Sequence, residues 1–331
     1  MKVFNSVLVF CDAELDDPAA CDGLLDRAAW IAAHNHASIT LFDVVTASAT
    51  GLVRSLVSTV TGDTSADESL LASRRARLEG LAETLRGNDC EVVVTIAVGV
   101  TAEEIVREVI RTGHDLLLTT GAKRPPAGKP AHLDLEIVRK CPCPVWFHSD
   151  HADLRQGRIL AAVDPDPEDP DRDGLSLSIL NLATRIAAQS GAGLDVLSVW
   201  RFDEASTLRS PLVKMPASEI DTLVEEERQG SALRLARLVR RIDDVDGGRQ
   251  VLHLEGDAAA RIAAHVDEAG MGLLVLGSVA RSGIQGLLIG NTAETLLGRI
   301  GCSILVVKPA GFVSPVPLDD NTERDGSGWA A

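Results

Sequence analysis

The sequence has few basic residues, and lysine is especially scarce. Among 331 residues it carries 32 lysines and arginines against 48 aspartates and glutamates, which gives a formal net charge of −16. The lysines are Lys2, Lys123, Lys129, Lys140, Lys214 and Lys308. Because a nucleic-acid partner requires a basic surface that neutralises its phosphates, this charge balance argues against nucleic acid as a partner.

The sequence also lacks a long apolar run. No segment approaches the ~20 apolar residues that a membrane helix requires. The apolar run at Val7–Phe10 meets Cys11 and Asp12 before it reaches the length of a signal-peptide core. The six cysteines lie mostly in apolar segments, which is typical of reduced thiols rather than of a disulfide framework. We therefore expect a cytoplasmic protein without a membrane span.

The two halves of the chain repeat each other. Leu25–Val45 aligns with Leu180–Trp200, and Val7–Asp12 aligns with Ile159–Asp164. Further matches join Leu116–Gly121 to Leu273–Ser278 and Cys143–Phe147 to Cys302–Val306. A repeat of about half the chain is too long for a solenoid and indicates duplication of a whole domain.

Each half predicts five strands alternating with four helices. The strands are near-continuous Val/Ile/Leu runs, as in a parallel sheet covered on both faces, and helices near Ser65–Arg86 and Ala217–Arg241 stand where right-handed crossovers require them. We expect an α/β protein of two tandem, doubly wound parallel-sheet domains, 1–150 and 157–310, followed by an acidic tail, 311–331. A ligand crevice would lie at the carboxyl ends of the strands, where the strand order reverses.

A glycine-bearing loop, Gly277–Glu294, lies between a predicted strand and a predicted helix. Glycines let the backbone approach phosphate oxygens, and amides at a helix start present donors to them. Asn291 or Thr292 is the expected N-cap, and Arg281 adds a cation. The alternative is a flexible connection that uses glycine for turns.

These residues resemble the universal stress protein family, whose nucleotide loop reads Gly-x2-Gly-x9-Gly-Ser/Thr. Gly277 and Gly290 match the first and third glycines, whereas Ala280 and Asn291 depart from the pattern. Gly290–Glu294, Val306–Pro309 and Phe312–Asp320 look like segments of the family's tandem members. The resemblance covers nearly the whole chain and implies the adenine-nucleotide alpha-hydrolase-like fold.

The resemblance also implies a nucleotide site in the second half. Asp164 and Val199 match the family's adenine contacts, and the amides of Ser278–Gly283 and Gly290–Thr292 would hold the phosphates of ATP or ADP, with Mg²⁺. The candidate nucleotide-binding residues are Asp164, Val199, Gly277, Ser278, Ala280, Arg281, Ser282, Gly283, Gly290, Asn291 and Thr292. Because a side chain at position 280 disfavours positive φ by about 1 kcal/mol or more, we expect weak binding at most.

The first half lacks this signature. Prolines interrupt its corresponding loop, Thr119–Pro130, and remove amide donors. Lys123, Arg124 and Lys129 would hold an anion there or form a solvated basic loop. Gly51–Val60 has apolar residues at helical spacing. This pattern suits packing over the sheet edge or the other domain. The alternative is a lid or groove for an apolar ligand or a partner.

Other chemistry has little support in the sequence. The acidic run Asp164–Asp173 lacks the glycine and closing glutamate of a calcium loop, which favours a solvated loop. His34 and His36 point to different faces, His148 and His151 lie in the linker, and neither pair predicts zinc. Cys141-Pro-Cys143 is not a Cys-x-x-Cys redox pair, and no serine or cysteine has a spaced base. We expect no catalytic residue and no metal ligand.

The expected function is a stress-response binding or signalling module, which the family resemblance implies. The alternatives are an ATP-binding protein with slow hydrolysis and a carrier of a small apolar ligand. Val145–His148 and Ser303–Val307 are apolar edge strands that must be paired or covered. We predict that they pair within one chain and make the halves a pseudo-dimer, and we leave open a further homodimer and an unknown protein or small-molecule partner.

Overall fold

A single sheet of ten strands runs through both halves of the chain, in the order β3-β2-β1-β4-β5-β10-β9-β6-β7-β8. The structure is a computed structural model. It describes residues 2–12, 18–46, 65–87, 90–120, 130–150, 157–210, 213, 215–242, 248–278 and 289–318.

Strands and helices alternate in both halves, as the sequence predicts. The first half contains β1 (Ser6–Phe10), α1 (Pro18–Asn35), β2 (Ser38–Thr46), α2 (Ser65–Arg86), β3 (Val92–Gly99), α3 (Thr101–Thr112), β4 (Leu116–Thr119), α4 (His132–Lys140) and β5 (Val145–Phe147). The second contains β6 (Arg158–Ala162), α5 (Pro170–Ser190), β7 (Gly193–Trp200), α6 (Ala205–Leu208), α7 (Ala217–Val239), β8 (Arg249–Glu255), α8 (Ala258–Ala269), β9 (Met271–Gly277), α9 (Asn291–Arg299) and β10 (Ser303–Val307). The short helix α6 was not predicted.

Each half is doubly wound around its first strand. β1 pairs in parallel with β2 on one side and β4 on the other. β6 pairs in the same way with β7 and β9. The strand order therefore reverses between β1 and β4 and between β6 and β9, and these two positions are the switch points at which doubly wound sheets bind ligands. The predicted fold class is confirmed.

The two halves meet through β5 and β10, which pair in antiparallel fashion. Val145 faces Val306, Trp146 faces Leu305, and Phe147 faces Ile304. Trp146 and Leu305 are fully buried. The predicted pairing of these two edge strands within one chain is confirmed, and neither strand remains an open edge.

Apolar residues on both faces of the sheet form two cores, and each core extends through both halves. On one face the helices α1, α2, α5 and α7 cover Val7, Trp146, Ile159 and Leu305. On the other, α3, α4, α8 and α9 cover Leu8, Phe147, Leu160 and Ile304. Burying each such side chain contributes about 1.5–3 kcal/mol, so the junction is stabilised as a core is.

Lys308 bridges the two halves just beyond β10. The carbonyl of Val138, in the last turn of α4, would ordinarily accept a hydrogen bond from residue 142, but Pro142 has no N–H. The buried Lys308 Nζ donates to that carbonyl instead. A cation near a helix C-terminus also interacts favourably with the helix dipole, and Nζ lies 4.3 Å from the centre of the Phe312 ring.

The segment that follows packs against the first half. Val316 is buried, and the Arg107 Nε of α3 donates to the Pro317 carbonyl at 3.3 Å. The start of the predicted acidic tail 311–331 is therefore anchored to the first half at Val316 and Pro317, whereas Val313 and Leu318 are exposed. Residues 319–331 lie outside the described residues.

The pH dependence of unfolding tests the environment of Lys308. Burial lowers the pKa of its ammonium from an ordinary 10.5 to about 8. Between these values the unfolded chain binds more protons at Lys308 than the folded chain does. Lys308 therefore makes the free energy of unfolding rise with pH from 8 to 10.5, and it has no effect below pH 8. The rise is at most about 3 kcal/mol. Lys308→Met should remove it in denaturant unfolding measured across this range.

The matched control is Lys2→Met, because Lys2 is exposed. This variant should keep the pH dependence of the unsubstituted protein. The chain contains no tyrosine, so no phenol titrates in the window. An identical slope in the unsubstituted protein and Lys308→Met would contradict the assignment.

Candidate functional site

A cavity of about 400 Å³ opens at the switch point between β6 and β9. Its walls come from the ends of β6, β7 and β9 and from the first turns of α5, α8 and α9. The structure brings six predicted site residues together in its lining: Asp164, Val199, Gly277, Gly290, Asn291 and Thr292. They come from four separate segments of the chain, which meet because parallel strands end at the same edge of a sheet.

Ser278 does not present its amide to the cavity. Its N–H donates to the Val307 carbonyl at 3.0 Å, and its carbonyl accepts from the Gly290 N–H at 3.0 Å. These bonds extend the pairing of β9 with β10 and fix the start of α9. The expectation that the amides of Ser278 and Gly290 hold a phosphate is therefore wrong, because both donors are already used within the protein. Ala280, Arg281, Ser282 and Gly283 lie outside the described residues, and their roles stay predictions.

Helix α9 starts at the cavity with Gly290 as its N-cap. Gly290 has φ −63° and ψ 139°, and its carbonyl accepts from the Glu294 N–H at 3.0 Å. The prediction that Asn291 or Thr292 caps the helix is wrong, since both already belong to the first turn. First-turn amides have no acceptor within the helix. Asn291, Thr292 and Ala293 line the cavity with these groups, so the helix start supplies donors for an anion.

Sequence reasoning missed Arg172, whose guanidinium forms an ion pair with the carboxylate of Asp164. Arg172 Nη2 donates to Asp164 Oδ2 at 2.8 Å, and Nη1 donates to Asp166 Oδ2 at 2.6 Å. The Asp164 N–H donates to Ser176 Oγ at 3.2 Å, which ties the end of β6 to α5. The available signal was that Arg172 is the one basic residue in the acidic run Asp164–Asp173.

The acidic run is held by contacts within the protein. Asp169 is the N-cap of α5 and accepts from the Arg172 N–H at 3.2 Å, while Pro170 occupies the first turn. Asp164 and Asp166 both accept from Arg172, so these three carboxylates are engaged by local donors. Within the ranges that the structure describes, no three His, Cys, Asp or Glu side chains are grouped so that they could hold a metal ion.

The opening of the cavity carries both signs of charge. Arg201, at the end of β7, forms an ion pair with Asp203, and both side chains are exposed. Asp257 caps α8 by accepting from the Ala260 N–H at 2.9 Å. Apolar walls and the amide donors at the start of α9 together suit a ligand with an apolar part and an anionic part.

Several other predicted sites lie where the structure gives no description. These are Lys123, Arg124 and Lys129 of the first-half loop, the apolar segment Gly51–Val60 and His151. Of the remaining histidines, His34 Nδ1 contacts the Trp30 carbonyl at 2.8 Å, and His148 Nε2 contacts Asp150 Oδ1 at 2.9 Å. None of the described helices is long and apolar enough to cross a membrane.

The fold and its crevice define a tandem, doubly wound α/β protein. A comparison with family models matches the universal stress protein family twice, over residues 7–147 and 157–308. The chain therefore belongs to the universal stress protein family, and both of its halves are matched. This assignment places it among stress-related proteins.

Individual relatives agree with the family assignment. Universal stress protein E of Photorhabdus laumondii is 30% identical over 216 residues, which are 65% of this chain and 68% of the relative. Universal stress protein E of Escherichia coli K12 is 29% identical over 228 residues, 67% and 69% of the two chains.

Solved structures of similar proteins share the two-domain fold. A Pseudomonas aeruginosa PAO1 protein described as functionally unknown has a TM-score of 0.66 at 25% identity and covers 93% of both chains. A universal stress protein from Archaeoglobus fulgidus has a TM-score of 0.59 at 15% identity, with 91% of this chain and 98% of that chain covered. At this identity the second likeness shows the fold alone.

A pair of glycine substitutions tests the cavity wall. A Cβ at Gly277 would lie 2.6 Å from Leu175 Cδ2 and 3.4 Å from Ile179 Cδ1. Gly277→Ala therefore forces Leu175 to move and should lower the free energy of unfolding by about 1 kcal/mol. Urea unfolding of both proteins measures the difference.

Gly174→Ala is the matched control, because Gly174 precedes Leu175 in α5 and has open space at its Cβ position. Since alanine is the better helix former, this variant should raise the free energy of unfolding by about 0.5–1 kcal/mol. A neutral or stabilising Gly277→Ala would show that the close approach at Gly277 is not required.

Proposed function

We propose that this universal stress protein is a cytoplasmic stress-response binding or signalling module whose second half binds ATP or ADP weakly, with Mg²⁺ neutralising the phosphates. The observation that carries the proposal is the cavity at the β6/β9 switch point. Asp164, Val199, Gly277 and the start of α9 line it together, although they are far apart in sequence.

The cavity suggests how the nucleotide would lie. The adenine would contact Asp164 and the apolar wall at Val199, at one end of the lining. The phosphates would approach the first turn of α9, where Asn291 and Thr292 contribute amides and the helix dipole favours negative charge. Gly290, with no Cβ, lets the phosphates approach the backbone closely.

Two features make this binding weak. Asp164 is held by Arg172 at 2.8 Å, so an adenine amino group must share the carboxylate with a guanidinium. The Ser278 amide is used within the sheet, which removes a phosphate donor. Each contact that is lost or shared reduces the affinity by an amount on the order of one hydrogen bond, about 1 kcal/mol.

We propose binding rather than rapid turnover, on the basis of how the carboxylates of the described lining are engaged. Asp164 pairs with Arg172, Asp203 pairs with Arg201, and Asp257 caps α8. These contacts occupy carboxylate oxygens and fix the side chains on protein groups, so none of the three is positioned by the protein to take a proton from an attacking water.

Titration calorimetry of ATP at fixed magnesium and salt tests nucleotide binding. Ala280→Gly with Asn291→Ser restores the family pattern and should tighten binding about tenfold, because backbone freedom and a small hydroxyl donor return to the loop. Equal affinities, or no heat from either protein, would show that the loop is a structural relic and that the protein works through another surface.

A second pair of variants tests the position of the adenine. Asp164→Ala should abolish measurable ATP binding if the carboxylate contacts the base. Asp166→Ala is the control, since Asp166 shares Arg172 with Asp164 but does not line the cavity. Equal losses in both variants would assign the effect to the Arg172 network and contradict an adenine contact at Asp164.

A further inference from the structure

Two thiols lie side by side where the first half meets the second. Cys141 follows α4, Cys143 precedes β5, and their Sγ atoms lie 3.5 Å apart in a thiol–thiol hydrogen bond. Cys141 is fully buried and Cys143 is 6% exposed. The pair lies outside the β6/β9 cavity, so the proposed function does not use it.

A buried cation from the other half accompanies the pair. The Lys308 Nζ donates to the Val138 carbonyl, three residues before Cys141. Burial raises the pKa of the Cys141 thiol, but the hydrogen bond with Cys143 and the charge of Lys308 lower it, and the net shift is downward. The same hydrogen bond and burial raise the pKa of Cys143. Of the two thiols, Cys141 is therefore the more readily deprotonated.

The second half provides an internal comparison. Its counterpart of Cys143 is Cys302, and Ile300-Gly301 stands where the first half has Cys141-Pro142. Cys302 is also buried, and its thiol donates to the Ser303 carbonyl at 3.4 Å. The duplicated position thus holds one thiol in one half and two adjacent thiols beside a cation in the other.

We propose that Cys141 and Cys143 form a redox modification site at the junction of the two halves, which a hydroperoxide oxidises to an intramolecular disulfide. The Cys141 thiolate attacks the peroxide oxygen, the O–O bond breaks, and a sulfenic acid and an alcohol form, or water when the oxidant is hydrogen peroxide. The Cys143 thiol then attacks the sulfenic sulfur, forms the S–S bond and releases water. Two thiols lose two electrons and two protons, and the peroxide takes them up.

The geometry allows the disulfide to close with a small movement. A disulfide joins its sulfurs at about 2.0 Å, so the two Sγ atoms must approach by about 1.5 Å. Residues 141–144 form an irregular connection between α4 and β5, so rotation of the two side chains does not break a helix or strand hydrogen bond.

Peptide mapping of the folded full-length protein tests the proposal. The protein is exposed to hydrogen peroxide, denatured, alkylated and digested with trypsin, which releases Cys141–Arg155 with both cysteines on one peptide. We expect this peptide to lose two hydrogens and resist alkylation several-fold faster than Cys302 is oxidised, because the Cys141 and Cys143 sulfurs lie 3.5 Å apart, close enough to be joined. Dithiothreitol should restore both thiols.

Two variants distinguish the site from general oxidation. In Cys143→Ser no disulfide forms, and Cys141 accumulates as a sulfenic acid that dimedone traps. In Cys302→Ser, the matched control, hydrogen peroxide should oxidise the Cys141–Arg155 peptide at the rate found for the unsubstituted protein. If both thiols survive in the folded protein and react only after denaturation, or if Cys302 oxidises equally fast, the pair is a packing feature and the proposal is wrong.

Discussion

The antiparallel pairing of β5 with β10 is the constraint on which the rest of the architecture depends. Only three residue pairs make this contact, yet they turn two five-stranded sheets into one. Within each half, the five strands run parallel, so an antiparallel junction points the carboxyl ends of the two halves toward opposite edges of the sheet. The carboxyl end of β4, after which the first half has prolines in its sequence, therefore lies at the opposite edge of the sheet from the β6/β9 cavity.

The hydrogen bonds at this junction differ between the two halves. Pro142 removes the N–H that would satisfy the Val138 carbonyl, and Lys308 from the opposite half supplies the donor. The pairing of β10 with β5 brings Lys308 to the end of α4. The Val138 carbonyl, which lacks its donor within the helix, is therefore bonded by a residue distant in sequence. The second half has Gly301, which keeps its N–H, at the position of Pro142. Duplicated domains have thus acquired complementary residues at their contact.

Much of the fold was predictable from the sequence because it is set by local patterns. Apolar runs and the repeat predicted the strands and their succession along the chain, and α2 has the predicted bounds. The gathering of Asp164, Gly277 and Gly290 followed from the doubly wound topology. The contacts of Arg172 and Ser278 were not predictable, since many arginines compete for few carboxylates and the choice depends on side-chain geometry. The N-cap at Gly290 was missed because side-chain preference favours asparagine, whereas the backbone of the loop placed the helix start one residue earlier.

The apolar walls of the cavity and its polar groups are subject to different physical requirements. Leu175, Ile179 and Leu276 must be apolar because they pack at the edge of the core, and Gly277 must stay small because Leu175 lies against it. The core therefore maintains the cavity whether or not a ligand binds. For the proposed nucleotide, affinity would depend instead on a few polar groups, chiefly the Asp164–Arg172 pair and the amides of α9. Ligand preference can consequently change through those groups while the sheet and the junction between the halves stay the same.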